Sequence, residues 1–200
     1  MATIAPTQPP PQSALPGPLV FYRLTIDEYE RIWDKLDDPR IELIDGYMVD
    51  KMAKKPGHSF STIETQQALA ARLPAGWSAR KEEPVRIPAF DEPEPDISVV
   101  RGANADYRSR YPTPADVALL VEVSEATLSQ DRGPKRMAYA RAGIAVYWIV
   151  NLVARQVEVY TRPLKEGRYR SRKVYKAGQQ VPVVIAGQQL CPIAVDDVMP

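Results

Sequence analysis

The sequence predicts an α/β fold of the α+β kind, in which a mixed central β-sheet is flanked by helices. Two continuous apolar runs, residues 97–100 and 117–123, are typical of central strands that are covered on both faces. Segments with the 3.6-residue period of helices lie before and after these runs. The order along the chain is therefore helix, hairpin, helix, several strands, helix and further strands.

A capping box predicts where the first helix begins. Thr25 is followed three residues later by Glu28, and apolar residues then recur at helical spacing. This helix is expected to stop before Pro39. The next segment, IELIDGYMVD, alternates apolar and polar residues around Asp45-Gly46, and that dipeptide is a strong hairpin signal.

The remaining elements follow from the same two periods. A second helix is predicted over residues 59–73, ended by Pro74 and Gly76. A third is predicted over residues 131–142, with Gly143 as its C-cap. Further strands are predicted at residues 77–81, 85–87, 146–150, 156–160 and 169–175, and near Val183.

The composition excludes several classes of protein. The chain has 200 residues with 26 Lys and Arg against 25 Asp and Glu, and this formal charge of +1 argues against a strongly basic DNA-coating protein. The one cysteine, Cys191, forms no intramolecular disulfide, and with the single His58 it leaves no Cys/His zinc cluster. No apolar run suggests a membrane helix and no signal-peptide pattern opens the chain, so a cytoplasmic protein without membrane contact is expected.

Prolines divide the chain into two parts. The sequence has 20 prolines, about twice the average usage, and six of them fall within the first eighteen positions. That stretch has no charge and no apolar period, so residues 1–20 are predicted to be a disordered Pro-rich tail. Residues 21–200 are predicted to form a single domain.

Three acidic residues lie at the edges of apolar strands. Asp96 precedes the segment ISVV, Glu122 lies within VALLVEVS, and Glu42 opens the segment ELIDG. An unpaired carboxylate is costly to bury, so these side chains need a partner or a cleft. Asp96 and Glu122 on neighbouring strands place two hard oxygen ligands near one cation, and such ligands favour Mg²⁺ or Mn²⁺ over zinc.

A cation held by carboxylates suits phosphodiester hydrolysis, because it polarises a phosphoryl oxygen and lowers the pKa of bound water. Such a site also needs a lysine, whose ammonium orients the attacking water or stabilises developing charge on the phosphate. Lys135 is the candidate, since it lies on the helix directly after the strand that carries Glu122.

At these residues the chain resembles the Uma-two family of restriction-endonuclease-like proteins, which is part of the PD-(D/E)xK nuclease superfamily. The matching stretches are RIELIDGYMV, PGHS, EPEPDISVV, LLVEVSEATLSQDRGPKRMAYARAGI and VYWIVN, and they occur in the family's order. The resemblance runs from about residue 24 to the C-terminus and leaves out the Pro-rich tail. It implies a restriction-endonuclease-like core.

The resemblance also implies roles for individual residues. Glu42, Asp96 and Glu122 match the acids that bind metal in the family, and Lys135 matches a lysine moved onto the following helix. One departure is that Ser124 stands two positions after Glu122, where the usual motif has lysine. Two further departures are Val146, at a position that is often acidic in the family, and Asn151, at one that is often Asp.

Auxiliary and binding roles are assigned to six further residues. His58 and Tyr139 are candidates for an auxiliary role at the site, with packing or capping as the alternative. The residues assigned to nucleic-acid contacts are Lys54, Lys55, Arg132 and Arg136. A second basic cluster, at residues 162–176, either grips phosphates or is a solvated hairpin.

Structural interpretations of the same acids stay open. Asp96 could cap a turn, Glu122 could pair with a buried base, and Glu42 could pair with Arg40. Lys135 could be a solvated lysine of a charged helix face.

The predicted function is that of an Mg²⁺- or Mn²⁺-dependent endonuclease acting on DNA, catalysed by Glu42, Asp96, Glu122 and Lys135. The alternative is a catalytically silent nucleic-acid-binding or interaction module on the same fold. A third hypothesis is a metal hydrolase that is not a nuclease. Dimerisation fits an endonuclease, since cutting both strands of a duplex needs two active sites and two-fold dimers are common.

Overall fold

The computed structural model describes residues 20–33, 35–36 and 40–200. The predicted Pro-rich tail lies outside these residues except for Val20, and so does the predicted stop before Pro39. In the part of the chain that is described, no helix is both long and apolar enough to cross a lipid bilayer.

The first helix, α1 (Ile26–Trp33), begins at the predicted capping box. The hydroxyl of Thr25 accepts a hydrogen bond from the backbone N–H of Glu28, and the Glu28 carboxylate accepts one from the backbone N–H of Thr25. These reciprocal bonds satisfy two donors that a helix start leaves open. The prediction of this helix start is confirmed.

The hairpin predicted at Asp45-Gly46 is also confirmed. It pairs β1 (Ile41–Ile44) with β2 (Tyr47–Asp50) in antiparallel register. Gly46 has φ +81°, and a Cβ added there would lie 2.6 Å from the Cβ of Arg23. The turn therefore requires glycine for both its backbone conformation and its close packing.

A central sheet of six strands forms the middle of the fold, which confirms the predicted mixed sheet. Its strands are β3 (Trp77–Lys81), β4 (Ile97–Arg101), β5 (Val117–Ser124), β6 (Val146–Asn151), β7 (Gln156–Leu164) and β8 (Arg168–Lys176). They are arranged in that order across the sheet. Only the β5–β6 pair is parallel, so the chain must cross over between these two strands.

The crossover is a helical segment in three parts, where the sequence predicts one helix. It consists of α3 (Leu128–Gln130), a π-helical turn (Asp131–Lys135) and α4 (Arg136–Arg141). Gly133 has φ −103° and ψ −110°, which is not helical, and Pro134 follows it. Pro134 has no N–H to continue the helix, so the chain breaks its α-helical path at this point.

Both faces of the central sheet are covered, as the two apolar runs predict. Helix α2 (Pro56–Ala70) packs on one face together with the C-terminal residues, and the crossover segment covers the other face. Strand alternation divides β5 between them: Val121 and Val123 face the first layer, while Leu120 faces the crossover segment. Glu122 shares the face of Leu120 because it is two residues away.

The strand predicted at residues 85–87 is wrong. Ile87 forms only an isolated bridge with Asp91. Pro84 and Pro88 flank the segment, and because proline has no N–H the hydrogen-bond ladder cannot extend. Four two-residue strands follow the central sheet: β9 (Gln180–Val181), β10 (Val184–Ile185), β11 (Gln188–Gln189) and β12 (Ile193–Ala194).

Candidate functional site

The three acids predicted from the sequence line one cavity. Glu42 comes from β1, Asp96 directly precedes β4, and Glu122 lies near the end of β5. The cavity has a volume of about 360 Å³, and Lys135 and His58 also line it. The antiparallel register pairs the residues next to Asp96 and Glu122, which explains why strands far apart in sequence bring these carboxylates together.

Glu122 is a buried carboxylate held by the crossover segment. The Lys135 ammonium and the Tyr139 hydroxyl both donate hydrogen bonds to Glu122 Oε1, at 3.1 and 2.7 Å. Lys135 and Tyr139 are four residues apart and lie on one face of the helical segment. Burial raises the pKa of Glu122 well above its usual value, and the positive charge of Lys135 opposes this rise.

Lys135 links Glu122 to Glu42. Its ammonium lies 3.0 Å from Glu42 Oε1, and Glu42 Oε2 accepts a hydrogen bond from the backbone N–H of Glu94. Burial alone would lower the pKa of Lys135, but the two carboxylates raise it above its ordinary value. Lys135 is therefore a buried ammonium ion that neutralises charge between the two acids, and not a solvated helix residue.

Asp96 is held from two sides. Its Oδ2 accepts a hydrogen bond from the backbone N–H of Val123 at 2.7 Å, and His58 Nε2 lies 3.3 Å from the same oxygen. Burial lowers the pKa of His58, but the hydrogen bond and charge of Asp96 outweigh it and leave that pKa raised. The structure thus brings His58 from the start of α2 onto a predicted metal ligand.

The hydrogen bonds to Asp96 and Glu122 described above fall on Asp96 Oδ2 and Glu122 Oε1, so they do not occupy Asp96 Oδ1 and Glu122 Oε2. The cavity is lined by six carboxylates and four Lys or Arg side chains, which leaves an excess of two negative charges when His58 is neutral. Hard carboxylate oxygens and this charge imbalance suit one divalent cation of the Mg²⁺ or Mn²⁺ type. The donor chemistry therefore fits such a metal.

The same carboxylates are not arranged as a finished coordination shell. Across residues 20–33, 35–36 and 40–200, no group of three or more His, Cys, Asp or Glu side chains is positioned to hold a metal ion. The reason is visible in the contacts, since the Lys135 ammonium lies on both Glu42 and Glu122. A bound cation and Lys135 therefore compete for the charge of these acids.

Asp131 is a further acid of the cavity that the sequence did not single out. It is 1% exposed and accepts hydrogen bonds from the hydroxyls of Ser124 and Thr127. Burial raises its pKa, and the charge of Lys135 opposes that rise. The signal that could have found it is its spacing of four residues before Lys135, which places both side chains on one face.

The residues predicted to contact nucleic acid lie at the cavity rim or near it, and each has a partner within the chain. Lys54 pairs with Glu82 at 2.9 Å, and Lys55 pairs with Glu125 at 3.2 Å. Nucleic-acid binding by these residues stays a prediction, and any phosphate would have to compete with the carboxylates.

Arg132 and Arg136, the other two residues in that set, are occupied in a different way. Arg132 forms an ion pair with Glu158, and the guanidinium of Arg136 donates to the backbone carbonyl of Arg132 at 2.7 Å. Arg132 keeps about 40% of its side chain exposed. Both arginines therefore contact groups of the chain itself, and Arg132 joins the crossover segment to the sheet.

Glu158 is a second buried carboxylate on the same face of the sheet. The backbone register places Glu122, Ile149 and Glu158 in one row across β5, β6 and β7. Two guanidinium groups contact Glu158, and the neutral donors are the side chains of Asn151, Gln156 and Tyr160. Burial raises the pKa of Glu158, but these hydrogen bonds outweigh it and lower that pKa to about 2.

The arrangement of acids and lysine agrees with a comparison of the whole chain with known families. Residues 26–195 match the Uma2 family, which is described as "Putative restriction endonuclease". This chain belongs to the Uma2 family. This match confirms the resemblance to the family that the sequence motifs indicate.

A solved structure similar to this Uma2 chain shows the same fold. It is the crystal structure of a putative nuclease belonging to DUF820 from Anabaena variabilis. The TM-score is 0.64 at 19% sequence identity, and the match covers 88% of this chain and 97% of the other. No curated protein matches the chain.

The departure at residue 151 has a local explanation. Asn151 donates a side-chain hydrogen bond to Glu158 Oε1 at 3.4 Å. An aspartate at this position would place a second carboxylate beside Glu158, and like charges in a buried site repel each other. Asn151 therefore belongs to the Glu158 cluster and not to the predicted metal site.

Proposed function

We propose that this Uma2 protein is a metal-dependent endonuclease that hydrolyses phosphodiester bonds in DNA. The observation that carries the proposal is that Glu42, Asp96 and Glu122 line one cavity beside the buried Lys135. The family description supports a nuclease, and its restriction-endonuclease character favours DNA as the proposed substrate.

Asp96, Glu122 and Glu42 would hold the cation through carboxylate oxygens. When bound, an Mg²⁺ or Mn²⁺ ion polarises a phosphoryl oxygen and lowers the pKa of a bound water. His58 would orient Asp96 by contacting its Oδ2. Tyr139 fixes Glu122 in the same way through Oε1.

Lys135 supplies a positive charge for the phosphate. Its ammonium neutralises Glu42 and Glu122 while no other cation is present, at 3.0 and 3.1 Å. With a cation held by these acids, Lys135 would be available to stabilise the negative charge that develops on phosphate oxygens during hydrolysis. Lysine on the helix thus replaces the lysine that the usual motif has at the position of Ser124.

The test is cleavage of supercoiled plasmid and of a labelled duplex in Mg²⁺ or Mn²⁺. The variants are Asp96→Asn and Lys135→Met, which keep the size of each side chain and remove its charge. The matched controls are Asp197→Asn and Lys165→Met, since both residues are exposed and have no ion pair in the described structure. Loss of cleavage only in the first pair is expected. Equal cleavage by wild type and Asp96→Asn would contradict the site.

A catalytically silent nucleic-acid-binding module is the second candidate. The observation that favours it is that Lys135 already neutralises Glu42 and Glu122 without a metal ion. For such a module, calorimetry would detect no Mn²⁺ binding to the wild type, and DNA would bind equally well in EDTA and in Mn²⁺.

A dimer is proposed together with the endonuclease. One active site cuts one strand, so cleavage of both strands at one place requires two copies. Sedimentation with and without a short duplex measures this directly. A protein that cuts both strands in one binding event while remaining a monomer would contradict the proposal.

A further inference from the structure

A second cavity, of about 550 Å³, opens on the face of the central sheet that α2 and the C-terminal residues cover. Its floor includes Val117, Ala118 and Val146, which begin β5 and β6, whereas Glu122 of the metal site lies near the other end of β5 and faces the crossover segment. Ala118 and Glu122 are roughly 13 Å apart along the strand. No described residue lines both cavities. We call the second one the apolar cavity.

The floor of the apolar cavity is accessible to a ligand. Val117, Ala118, Val146 and Val159 line it, and each keeps between 5% and 8% of its surface exposed. The hairpin of β10 and β11 forms a wall, to which Val184 contributes. Pockets for small molecules are concave, largely apolar and roughly 300–1,000 Å³ in volume, so this cavity has the size and the lining of such a site.

Three basic side chains line the apolar cavity, and no described Asp or Glu does: they are Arg101, Arg162 and Lys173. All three are exposed, and none forms an ion pair with a described residue. The metal site is the opposite case, since six carboxylates line it against four Lys or Arg side chains. Cations without acids around an apolar floor favour a ligand that carries negative charge.

Polar groups lie together at the β7–β8 end of the apolar cavity. Thr161 and Ser171 are paired in register across these strands, and both line the cavity. Lys173 is two residues from Ser171 and therefore shares its face of β8. Arg162 directly follows Thr161. Two cations and two hydroxyl groups can all donate hydrogen bonds to an anionic head group at this end.

The backbone of Arg162 is an independent reason to look for a ligand here. Its φ is +61°, in the left-handed region that residues other than glycine rarely adopt. The regular pairing of β7 with β8 lapses at this residue, since Thr161 pairs with Ser171 and Pro163 with Tyr169. Residues held in such conformations concentrate at binding sites. The strain and the positive charge thus coincide at one end of the cavity.

The rest of the apolar cavity suits an alkyl chain. From β7 the floor crosses β6 and β5 to β4, which is three strand spacings or roughly 14 Å. Aliphatic side chains form this path. Trp77 lies at its far end, where the guanidinium of Arg101 covers the ring at 4.8 Å. The path is therefore apolar along its length and cationic at the β7–β8 end.

We infer that the apolar cavity binds a small amphipathic anion. Its carboxylate or phosphate head lies at Arg162 and Lys173, and its alkyl chain lies on the aliphatic floor and extends toward Trp77. The head gains charge-assisted hydrogen bonds, and the chain gains by leaving water. The inference is independent of the endonuclease, because no residue of the metal site takes part.

Four ten-carbon compounds that differ only in the head group test the cavity: decanoate, decyl phosphate, decanol and decylamine. They are titrated below their micelle concentrations in EDTA, by calorimetry and by the indole N–H signal of Trp77, assigned with Trp77→Phe. Both anions are expected to shift this signal and to bind at least tenfold more tightly than decanol and decylamine. The tighter of the two anions identifies the head group. Failure of both anions to bind, or equal binding of decylamine, would overturn the inference.

Two variants and one control connect the binding to the cavity. Lys173→Met removes a charge at an exposed position and is expected to weaken both anions about tenfold. Ala145→Phe adds a ring at an exposed position of the lining and is expected to weaken both anions as well. Lys165→Met is the matched control, since that lysine is exposed in the β7–β8 turn and does not line the cavity. Anion binding that neither of the first two variants weakens would overturn the inference.

DNA and nucleotides are the competing occupants, because the basic cluster at residues 162–176 was also predicted as a site for phosphates. A short duplex that displaces decanoate, and whose own affinity falls in Lys173→Met, would overturn the inference. Adenosine monophosphate that binds more tightly than decyl phosphate would overturn the alkyl chain. Each of these results leaves the metal site untouched, so it is distinguishable from a failure of the proposed endonuclease.

Discussion

Glu122 and Glu158 are two buried carboxylates on one face of one sheet, and they differ in their partners. They share a row across β5, β6 and β7, and the same crossover segment supplies a cation to each. Glu158 accepts hydrogen bonds on both oxygens and its pKa is lowered to about 2. Glu122 receives both of its donors on Oε1, and its pKa is raised.

This difference shows that burial alone does not assign a role to an acid. Glu158 is saturated by protein donors, which is the arrangement of a structural ion pair. Glu122 takes its hydrogen bonds from Lys135 and Tyr139 on Oε1 and lines a cavity with a formal excess of negative charge, an arrangement that suits a ligand site. We therefore expect substitutions at Glu122 to affect activity and substitutions at Glu158 to affect stability.

The largest expected effect is on catalysis. Glu122→Gln removes a charge that we propose holds the cation, and is expected to lower the cleavage rate by about 1,000-fold, or about 4 kcal/mol of transition-state stabilisation. Its melting temperature should change little, because Lys135 keeps Glu42 as a partner. Plasmid cleavage and thermal unfolding measure the two properties. A variant that cuts at the wild-type rate would place Glu122 with Glu158 as a structural acid.

The next effect is on stability, at Glu158. Glu158→Gln removes the charge that two arginines share and is expected to cost roughly 2–3 kcal/mol of unfolding free energy. Urea unfolding at pH 7 measures this cost, and Mn²⁺ affinity should stay unchanged because the residue is remote from the cavity oxygens. Loss of Mn²⁺ binding in this variant would contradict the assignment of a purely structural role to Glu158.

Glu92 extends the comparison to a buried acid whose Oε2 has no hydrogen-bond partner among the described residues. Burial raises its pKa to about 7, so between pH 4.5 and pH 7 the folded state binds more protons than the unfolded state. Its contribution to stability is therefore present at low pH and lost as the pH rises, by up to about 3 kcal/mol. Glu92→Gln, followed by urea unfolding from pH 4.5 to 8, should remove this loss. Parallel pH curves for variant and wild type would contradict the assignment.

The smallest effect is expected at Asn151. Asn151→Asp places a carboxylate beside Glu158 and is expected to cost about 1 kcal/mol, because the two arginines offset part of the repulsion. Urea unfolding at pH 7 and pH 4 measures it, and the cost should shrink at the lower pH as the new carboxylate takes up a proton. A cost that is independent of pH would point to lost packing.

The sequence predicts the acids of the site better than their geometry. Asp96 and Glu122 are recognisable because each interrupts or borders an apolar strand, and strand register then brings them together. Asp131 is missed because its burial depends on how the crossover segment packs over the end of β5, where the hydroxyl of Ser124 donates to it. Glu158 is missed for another reason: in the segment QVEVY it reads as the outward residue of an alternating strand, but both faces of this sheet are covered.

The break in the crossover segment is a feature of the fold that the sequence analysis did not predict. The period of the third helix is visible in the sequence, but the helical segment begins at Leu128 and not at Asp131, so Pro134 lies inside it and breaks it at Gly133. The break matters for function, because it lies between Asp131 and Lys135 and both line the cavity.

The most direct test of the central claim is a crystal soaked in Mn²⁺ and measured for anomalous scattering. We predict a manganese ion between Asp96 and Glu122, with the Lys135 ammonium displaced from Glu122 and the Glu158 cluster unchanged. The same crystal of Lys135→Met should bind the ion at a lower Mn²⁺ concentration, because the competing ammonium is absent. A soaked crystal with no anomalous peak in the Asp96–Glu122 cavity, or with Lys135 still on both acids, would contradict the claim.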